Sequence, residues 1–365
     1  MSLQCGIVGL PNVGKSTLFN ALSNAKAQAA NFPFCTIEPN LGVITVPDER
    51  LNELAKLVNP KKVTPATVEI VDIAGLVKGA SKGEGLGNQF LGNIRNVDAI
   101  IHVVRCFDDD NVIHVDGSVN PVRDKEIIDA ELQLKDLESV EKKISRMEKV
   151  AKAGDRDSKR GLEVIEIYRK HLQSGKSART VPLGVEDKKF AADIFLLTEK
   201  PVLYACNVDE KSAVRGNKYV DALKEVVKGE NAEVLIISAA IEAEIAQFEN
   251  YEDRRAFLSD LGLDEPGVTK LIHASYHLLK LITFLTAGEP EVRAWTIHQG
   301  MTAPQAAGVI HSDFEKGFIR AEVITYEDYI LLKSEAACRA AGKLRLEGKE
   351  YVVKDGDVMH FLFNV

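Results

Sequence analysis

Residues Gly9-Leu-Pro-Asn-Val-Gly14-Lys15-Ser16-Thr17 match the pattern G-x-x-x-x-G-K-[ST] and lie where that pattern has to lie. The apolar run from Leu3 to Val8 reads as a buried parallel strand, and Thr17 to Asn24 reads as a short helix. Small residues between strand and helix let the backbone curl until successive N–H groups and the helix N-terminus face a phosphate. Lys15 would then reach the outer phosphates, and the Ser16 hydroxyl would hold Mg2+. A glycine-rich turn with no ligand is the alternative, and the strand–loop–helix context weighs against it.

The rest of the chain supports the same fold class. Strand-like runs recur at Gly42–Val46, Thr67–Ile73, Ala99–Val104, Val202–Val208 and Glu233–Ile237, with helical patterns between them. This alternation predicts an α/β doubly wound, mostly parallel sheet. It breaks between about Ile127 and Leu197. There Ala130, Leu134, Leu137, Val140, Ile144, Met147 and Ala151 recur at helical spacing, followed by turn residues and a returning helix. The pattern is that of a helical hairpin inserted between two strands. From Leu281 onward, short runs at Ile282–Leu285, Arg293–Thr296, Arg320–Thr325, Glu350–Val353 and Val358–Phe363, with one helix over Ala303–Val309, predict an α+β module whose last turn is Asp355-Gly-Asp357. The expected division is a nucleotide domain of 1–126 and 198–278, a hairpin of 127–197 and a C-terminal domain of 279–365.

Further motifs stand in the order that a triphosphate site requires. Val68–Val71 leads into Asp72-Ile-Ala-Gly75, where Asp72 would meet the Mg2+ shell through water and the Gly75 N–H would sense the outer phosphate. Thr36, in Asn31-Phe-Pro-Phe-Cys-Thr36, is placed either as a second hydroxyl for Mg2+ or as an ordinary loop threonine. After the fifth strand comes Asn207-Val208-Asp209-Glu210. A guanine site has the form N-K-x-D, so Glu210 stands at the Asp position with one methylene too many, and hydrogen bonds weaken steeply with such misalignment. A backbone carbonyl near Val208 would serve an adenine amino group, so ATP is expected over GTP, with GTP the rival. Ser238 and Ala239 complete the base side. Leu76 occupies the place where related enzymes hold a water-orienting glutamine. His114, in the loop Asp108–His114, is either that orienting group or a surface histidine.

Taken together, G-L-P-N-V-G-K-S-T, N-F-P-F-C-T-I-E-P-N, D-I-A-G-L-V-K-G-A-S-K-G-E-G-L-G-N and N-V-D-E resemble the YchF subfamily of Obg-related P-loop proteins, the Obg-like ATPases. The resemblance runs essentially end to end. It implies that the hairpin is that subfamily's insertion and the last module a TGS domain, a ubiquitin-like β-grasp. It further implies ATP hydrolysis, Mg2+ held by Ser16 and Thr36, nucleotide contacts from Asn12, Val13, Gly14, Lys15, Ser16 and Thr17, and a base contact near Val208. Association with ribosomes and a role in translation or stress response follow from it too. Catalytic roles are expected for Lys15, Asp72, Gly75 and His114, base-side roles for Asn207, Val208, Glu210, Ser238 and Ala239, and K+ is a candidate activator. The subfamily commonly reads N-M-S-E, so Val208 and Asp209 depart from it.

Composition limits the partners. The formal net charge of −8 over 365 residues excludes a generic polyanion binder, and no specific DNA contact is expected. Lys142, Lys143, Arg146, Lys149, Lys152, Arg156, Lys159 and Arg160 gather near the hairpin turn, either as a cationic tip for ribosomal RNA or as a solvated face. Five cysteines without C-x-x-C spacing fit a reducing compartment, and no apolar run reaches the ~18 residues of a membrane span, so a cytoplasmic protein is expected. A small-molecule kinase on the same loop would need an acceptor pocket and an arginine-rich lid, and neither is evident. A scaffold that binds nucleotide only for stability is the third reading.

Overall fold

The structure is a computed structural model that describes residues 3–28, 41–73, 86–112, 114, 117–151, 156–230, 232–248 and 250–364. It divides into two compact units, residues 1–43 with 69–271, and 44–68 with 272–365.

The first unit is built on a sheet whose six described strands run in the order β2-β4-β1-β5-β6-β7. These are β1 (Gln4–Val8), β2 (Leu41–Thr45), β4 (Thr67–Asp72), β5 (Ala99–Arg105), β6 (Val202–Asn207) and β7 (Glu233–Ile237). β1 pairs in parallel with β4 and β5, and β5–β6 and β6–β7 are also parallel. Every residue of β5 and β6 is buried, as expected of strands covered on both faces. Strand order reverses at β1, and the phosphate-type loop leaves its carboxyl end, where open α/β sheets bind ligands. The helix after the loop, Lys15–Gln28, is longer than its sequence pattern suggested and has no acid in its first turn, so its N-terminus keeps its positive character.

The inserted helices run over Pro121–Ala151 and Arg156–Gln173. Val140, Ile144, Val164, Ile165, Tyr168 and Leu172 form their shared core. Gly161 allows a close crossing, since a Cβ there would lie 2.7 Å from the Met147 methyl. The apolar seam read from the sequence holds from Leu137 to Met147 but fails nearer the base, where Leu134 is 54% exposed. At that end Lys125, Asp129, Glu131 and Asp136 are buried beside Ile128 and Leu132. The reason is polar packing. Lys125 bonds Asp129 (2.5 Å) and Glu230 (2.6 Å), and Asp136 accepts from the N–H groups of Leu197 (2.7 Å) and Thr198 (2.8 Å) and from the Thr198 hydroxyl (2.7 Å).

The second unit carries six described strands in the order β11-β10-β12-β8-β9-β3. They are β3 (Val63–Thr64), β8 (Leu281–Ala287), β9 (Val292–His298), β10 (Phe318–Thr325), β11 (Arg345–Glu347) and β12 (Asp357–Phe363). β8 and β12 meet in parallel, flanked by the antiparallel pairs β8–β9 and β10–β12. The helix Ala303–Ile310, opened by a Thr302/Gln305 capping box, packs its alanines on Phe284, Phe318 and Phe361. This is a β-grasp arrangement. Two expectations are corrected. Glu350–Val353 makes only an isolated bridge, Thr302 with Val352, because Gly348–Tyr351 closes as a turn, and the strand lies at Arg345–Glu347 instead. Residues 44–68, expected within the nucleotide domain, group with the second unit apart from the ends of β2 and β4. Val63 pairs with Val292, and Arg50 bonds Asp355 (2.6 Å).

Burial pushes the Asp136 carboxyl up to about 6 from 3.8, with its three donors opposing the shift. A carboxyl raised in the folded state contributes most below its unfolded value, and that contribution is lost as pH rises through the folded value. Asp136→Asn cannot accept all three bonds and should be less stable than wild type at about pH 4, with the gap narrowing toward about pH 7. Denaturant unfolding at several pH values checks this; a gap that widens with pH contradicts it.

Candidate functional site

The loop between β1 and its helix needs unusual backbone. Asn12 has φ 62° and Gly14 φ 91°, both left-handed, a region asparagine tolerates and glycine favours. Gly9 packs flat on β5, where a Cβ would lie 2.7 Å from the Val103 carbonyl oxygen. The Leu18 N–H bonds the Gly14 carbonyl (3.0 Å) and starts the helix. Val13 is buried, whereas Ser16 and Thr17 are exposed.

Pairing of Ile7 with Asp72 in β1 and β4 brings the end of β4 beside the loop, and there Lys15 and Asp72 form an ion pair. The sequence expected both in the site, and they meet. Thr36, Gly75 and Leu76 lie outside the described residues, as does most of Asp72–Asn88.

Asn207 occupies the centre. It is 4% exposed; its Nδ2 donates to the Val13 carbonyl (2.9 Å), and its Oδ1 accepts from the Ala239 N–H (2.9 Å). One amide thus ties the phosphate loop to the base-side loop. The Asn207 carbonyl accepts from Cys106 N–H (2.8 Å), and Val208 N–H donates to Ile237 (2.9 Å), so the start of Asn207–Glu210 is pinned on both sides. Asp209 caps a short turn by accepting from Ser212 N–H (2.9 Å), and Glu210 is exposed. Ser238 is buried, and its hydroxyl has no partner among the described residues. It lines a cavity of about 20 Å3, room for one water, together with Glu242. Burial raises the Glu242 carboxyl to about 7 although it accepts from Gly267 (2.7 Å) and Val268 (3.2 Å).

His114 is buried, not at the surface, with Nε2 2.8 Å from Asp124 Oδ2. Sequence reading missed Asp124 and Arg105. The only available signal was an arginine closing a mostly apolar strand. Three of the expected hairpin cations are already paired: Lys142 with Glu138, Lys143 with Asp193, and Arg160 with Asp187.

Among the described residues no cluster of three or more His, Cys, Asp or Glu could hold a metal ion. A cation at this loop would meet the exposed Ser16 hydroxyl, nucleotide oxygens and water, donors that suit a hard ion such as Mg2+. No helix among the described residues is long and apolar enough to cross a membrane.

A left-handed glycine loop at the switch point, a lysine meeting the strand-end aspartate, and an asparagine joining phosphate and base loops define a P-loop nucleoside triphosphatase. Comparison with known proteins narrows this. A family model described as 50S ribosome-binding GTPase matches residues 4–149, and YchF-GTPase_C, described as a protein of unknown function, matches 281–364. The ribosome-binding ATPases YchF of Bacillus subtilis and Escherichia coli O157:H7 are each 56% identical, covering all of both chains. The solved YchF GTPase of Schizosaccharomyces pombe superposes with a TM-score of 0.89 at 40% identity, covering 99% of this chain and 98% of that one. The chain belongs to the YchF family.

Gly14→Ala places a methyl 2.2 Å from Asn207 Nδ2 in a left-handed backbone. It should lower stability by about 1–3 kcal/mol and abolish triphosphate binding, because Asn207 must release Val13 to make room. Calorimetry and thermal melting check both; wild-type affinity would contradict the clamp.

Proposed function

We propose that this protein is a Mg2+-dependent ATPase that works as a nucleotide switch on the ribosome. The observation supporting it best is the Lys15–Asp72 ion pair beside an exposed Ser16. The phosphate-binding lysine and the strand-end aspartate are held together with the hydroxyl open to solvent. In this reading Asn12–Thr17 cradle the phosphates, Lys15 transfers from Asp72 to phosphate oxygen, and Ser16 and Thr36 hold Mg2+, which when bound neutralises developing phosphate charge. Gly75 senses the outer phosphate. His114 orients the attacking water in place of a glutamine, since Leu76 has no group that can. K+ is an activator of the same step.

The base is adenine in this proposal. Glu210 replaces the shorter acid that guanine requires, and no lysine precedes it. Relatives carry both ATPase and GTPase in their names, so GTP remains the competing reading. Calorimetry with Mg2+ and each triphosphate should give tighter binding of ATP, and Val208→Lys with Glu210→Asp should shift preference toward GTP; tighter GTP binding by the unaltered protein overturns the adenine reading.

The ribosome as partner, and hence a cytoplasmic location and a part in translation, rests on the names of the relatives. We assign nucleotide binding to residues 1–43 and 69–271 outside the hairpin, and ribosome contact to the hairpin (127–197) and the C-terminal domain (279–365). With Lys142, Lys143 and Arg160 neutralised by carboxylates, the contact falls to the remaining cations around the turn. Charge reversal at Lys149, Lys152 and Arg156 should weaken co-sedimentation with ribosomes and steepen its loss with salt; unchanged co-sedimentation removes the hairpin from the interface.

A further inference from the structure

Between β5 and the hairpin, the polar side chains are spent on holding one short loop. Arg105 is 1% exposed, and its guanidinium donates to the carbonyls of Phe107 (3.1 Å), Val112 (2.8 Å) and Asp109 (3.1 Å). A buried cation is tolerated only where other groups replace its lost water, and here backbone oxygens do so. From the outer side Tyr219 donates to Asp108 (2.9 Å). The loop is therefore fixed where it approaches His114.

At the other end the His114 carbonyl accepts from Gly117 N–H (3.0 Å), and its ring meets Asp124 at 2.8 Å. Asp124 is 1% exposed and sits in the first turn of the helix Pro121–Ala151, where the helix N-terminus favours a negative charge. Its two neighbours in the chain hold it in place. Arg123 reaches Ser118 (3.1 Å) and also touches Asp124 (3.2 Å), while Lys125 ties the same turn to Glu230 (2.6 Å). The acid is thus rigidly placed before it meets the imidazole.

We propose that Asp124 is the positioning residue for His114 in nucleotide hydrolysis; this rests on the reading of His114 as the water-orienting group. A buried carboxylate only accepts, so Nε2 carries the proton that His114 donates to it. That fixes the neutral ring as the Nε2–H tautomer and makes Nδ1 its accepting nitrogen. Asparagine at 124 fits the same space but either accepts or donates, so the ring loses its enforced tautomer and orientation while the nucleotide contacts of Asn12–Thr17 are untouched.

The test compares His114→Ala, Asp124→Asn and the double variant in Mg·ATP turnover, with ATP affinity and melting measured alongside. Asp124→Asn should lower kcat by about 10- to 100-fold with ATP affinity within about twofold of wild type, and it should slow the His114→Ala protein no further. Wild-type turnover in Asp124→Asn beside a slow His114→Ala, or effects that multiply in the double variant, overturns the positioning role alone. Wild-type turnover in His114→Ala overturns the His114 reading and this proposal with it. Should Asp124→Asn fail to fold, imidazole nitrogen NMR on the unaltered protein decides: an Nε2–H tautomer at His114 supports the proposal, and an Nδ1–H tautomer overturns it.

Discussion

The two hydrogen bonds of the Asn207 side chain organise the nucleotide half of this molecule. A parallel sheet delivers several loops to one end, but nothing in strand pairing alone fixes those loops to each other. Asn207 does so by donating to the carbonyl of Val13 and accepting from the N–H of Ala239, both at 2.9 Å inside a buried setting. A hydrogen bond shielded from water is costly to lose, because each freed partner stays buried and unpaired. The glycine at 14 is part of the same arrangement, since the amide occupies the space a side chain would need. Loop shape and base-side shape are consequently one variable.

The hairpin obeys a different logic along its length. Toward its turn it is an ordinary apolar helix pair with Val140, Ile144, Val164 and Tyr168 in the interior. Toward its base the interior mixes apolar side chains, Ile128 and Leu132, with buried charges. Lys125 lies between Asp129 and Glu230, Arg179 stands 3.7 Å from Glu230, and the Tyr204 hydroxyl donates to the same acid (3.1 Å). The His102 ring beside Tyr204 is driven down to about 3 by burial and stays neutral. Buried ion pairs contribute little net stability over apolar packing, but they penalise misplacement strongly. Lys125 thereby ties the first turns of the helix, next to Asp124, to Glu230.

How much of this could be read from the sequence follows from the range of each interaction. Strands β1, β5 and β6 were legible because a strand buried on both faces is a largely apolar run, and the phosphate loop was legible because its glycines and lysine lie close together in the chain. Leu134 was misread because helical spacing marks an apolar residue but not what lies opposite it, and here that is solvent. Val352 and Val353 looked like strand because an apolar pair does not reveal the turn at Gly348–Tyr351 that precedes it. Asp124 carried no local signal and Arg105 only a weak one, since an acid in a first helical turn and an arginine at a strand end are commonplace until their partners at His114 and at 107–112 are known.

The division of the chain is the clearest case of long-range pairing overruling sequence order. The units are joined at Val43–Ile44, Val68–Glu69 and Leu271–Ile272, three crossings where a simple appended domain would have one. Residues 44–68 contribute the helix Glu49–Val58, which buries Leu51 and Leu54, and β3, which extends the second sheet at β9. Arg50 adds a bond to Asp355, whose other oxygen accepts from Thr283 N–H (2.8 Å). Removing the chain beyond 279 would therefore strip residues 44–68 of their packing, and these sit in sequence between Thr36 and Asp72. The second unit is therefore completed by a segment that sequence order places inside the first.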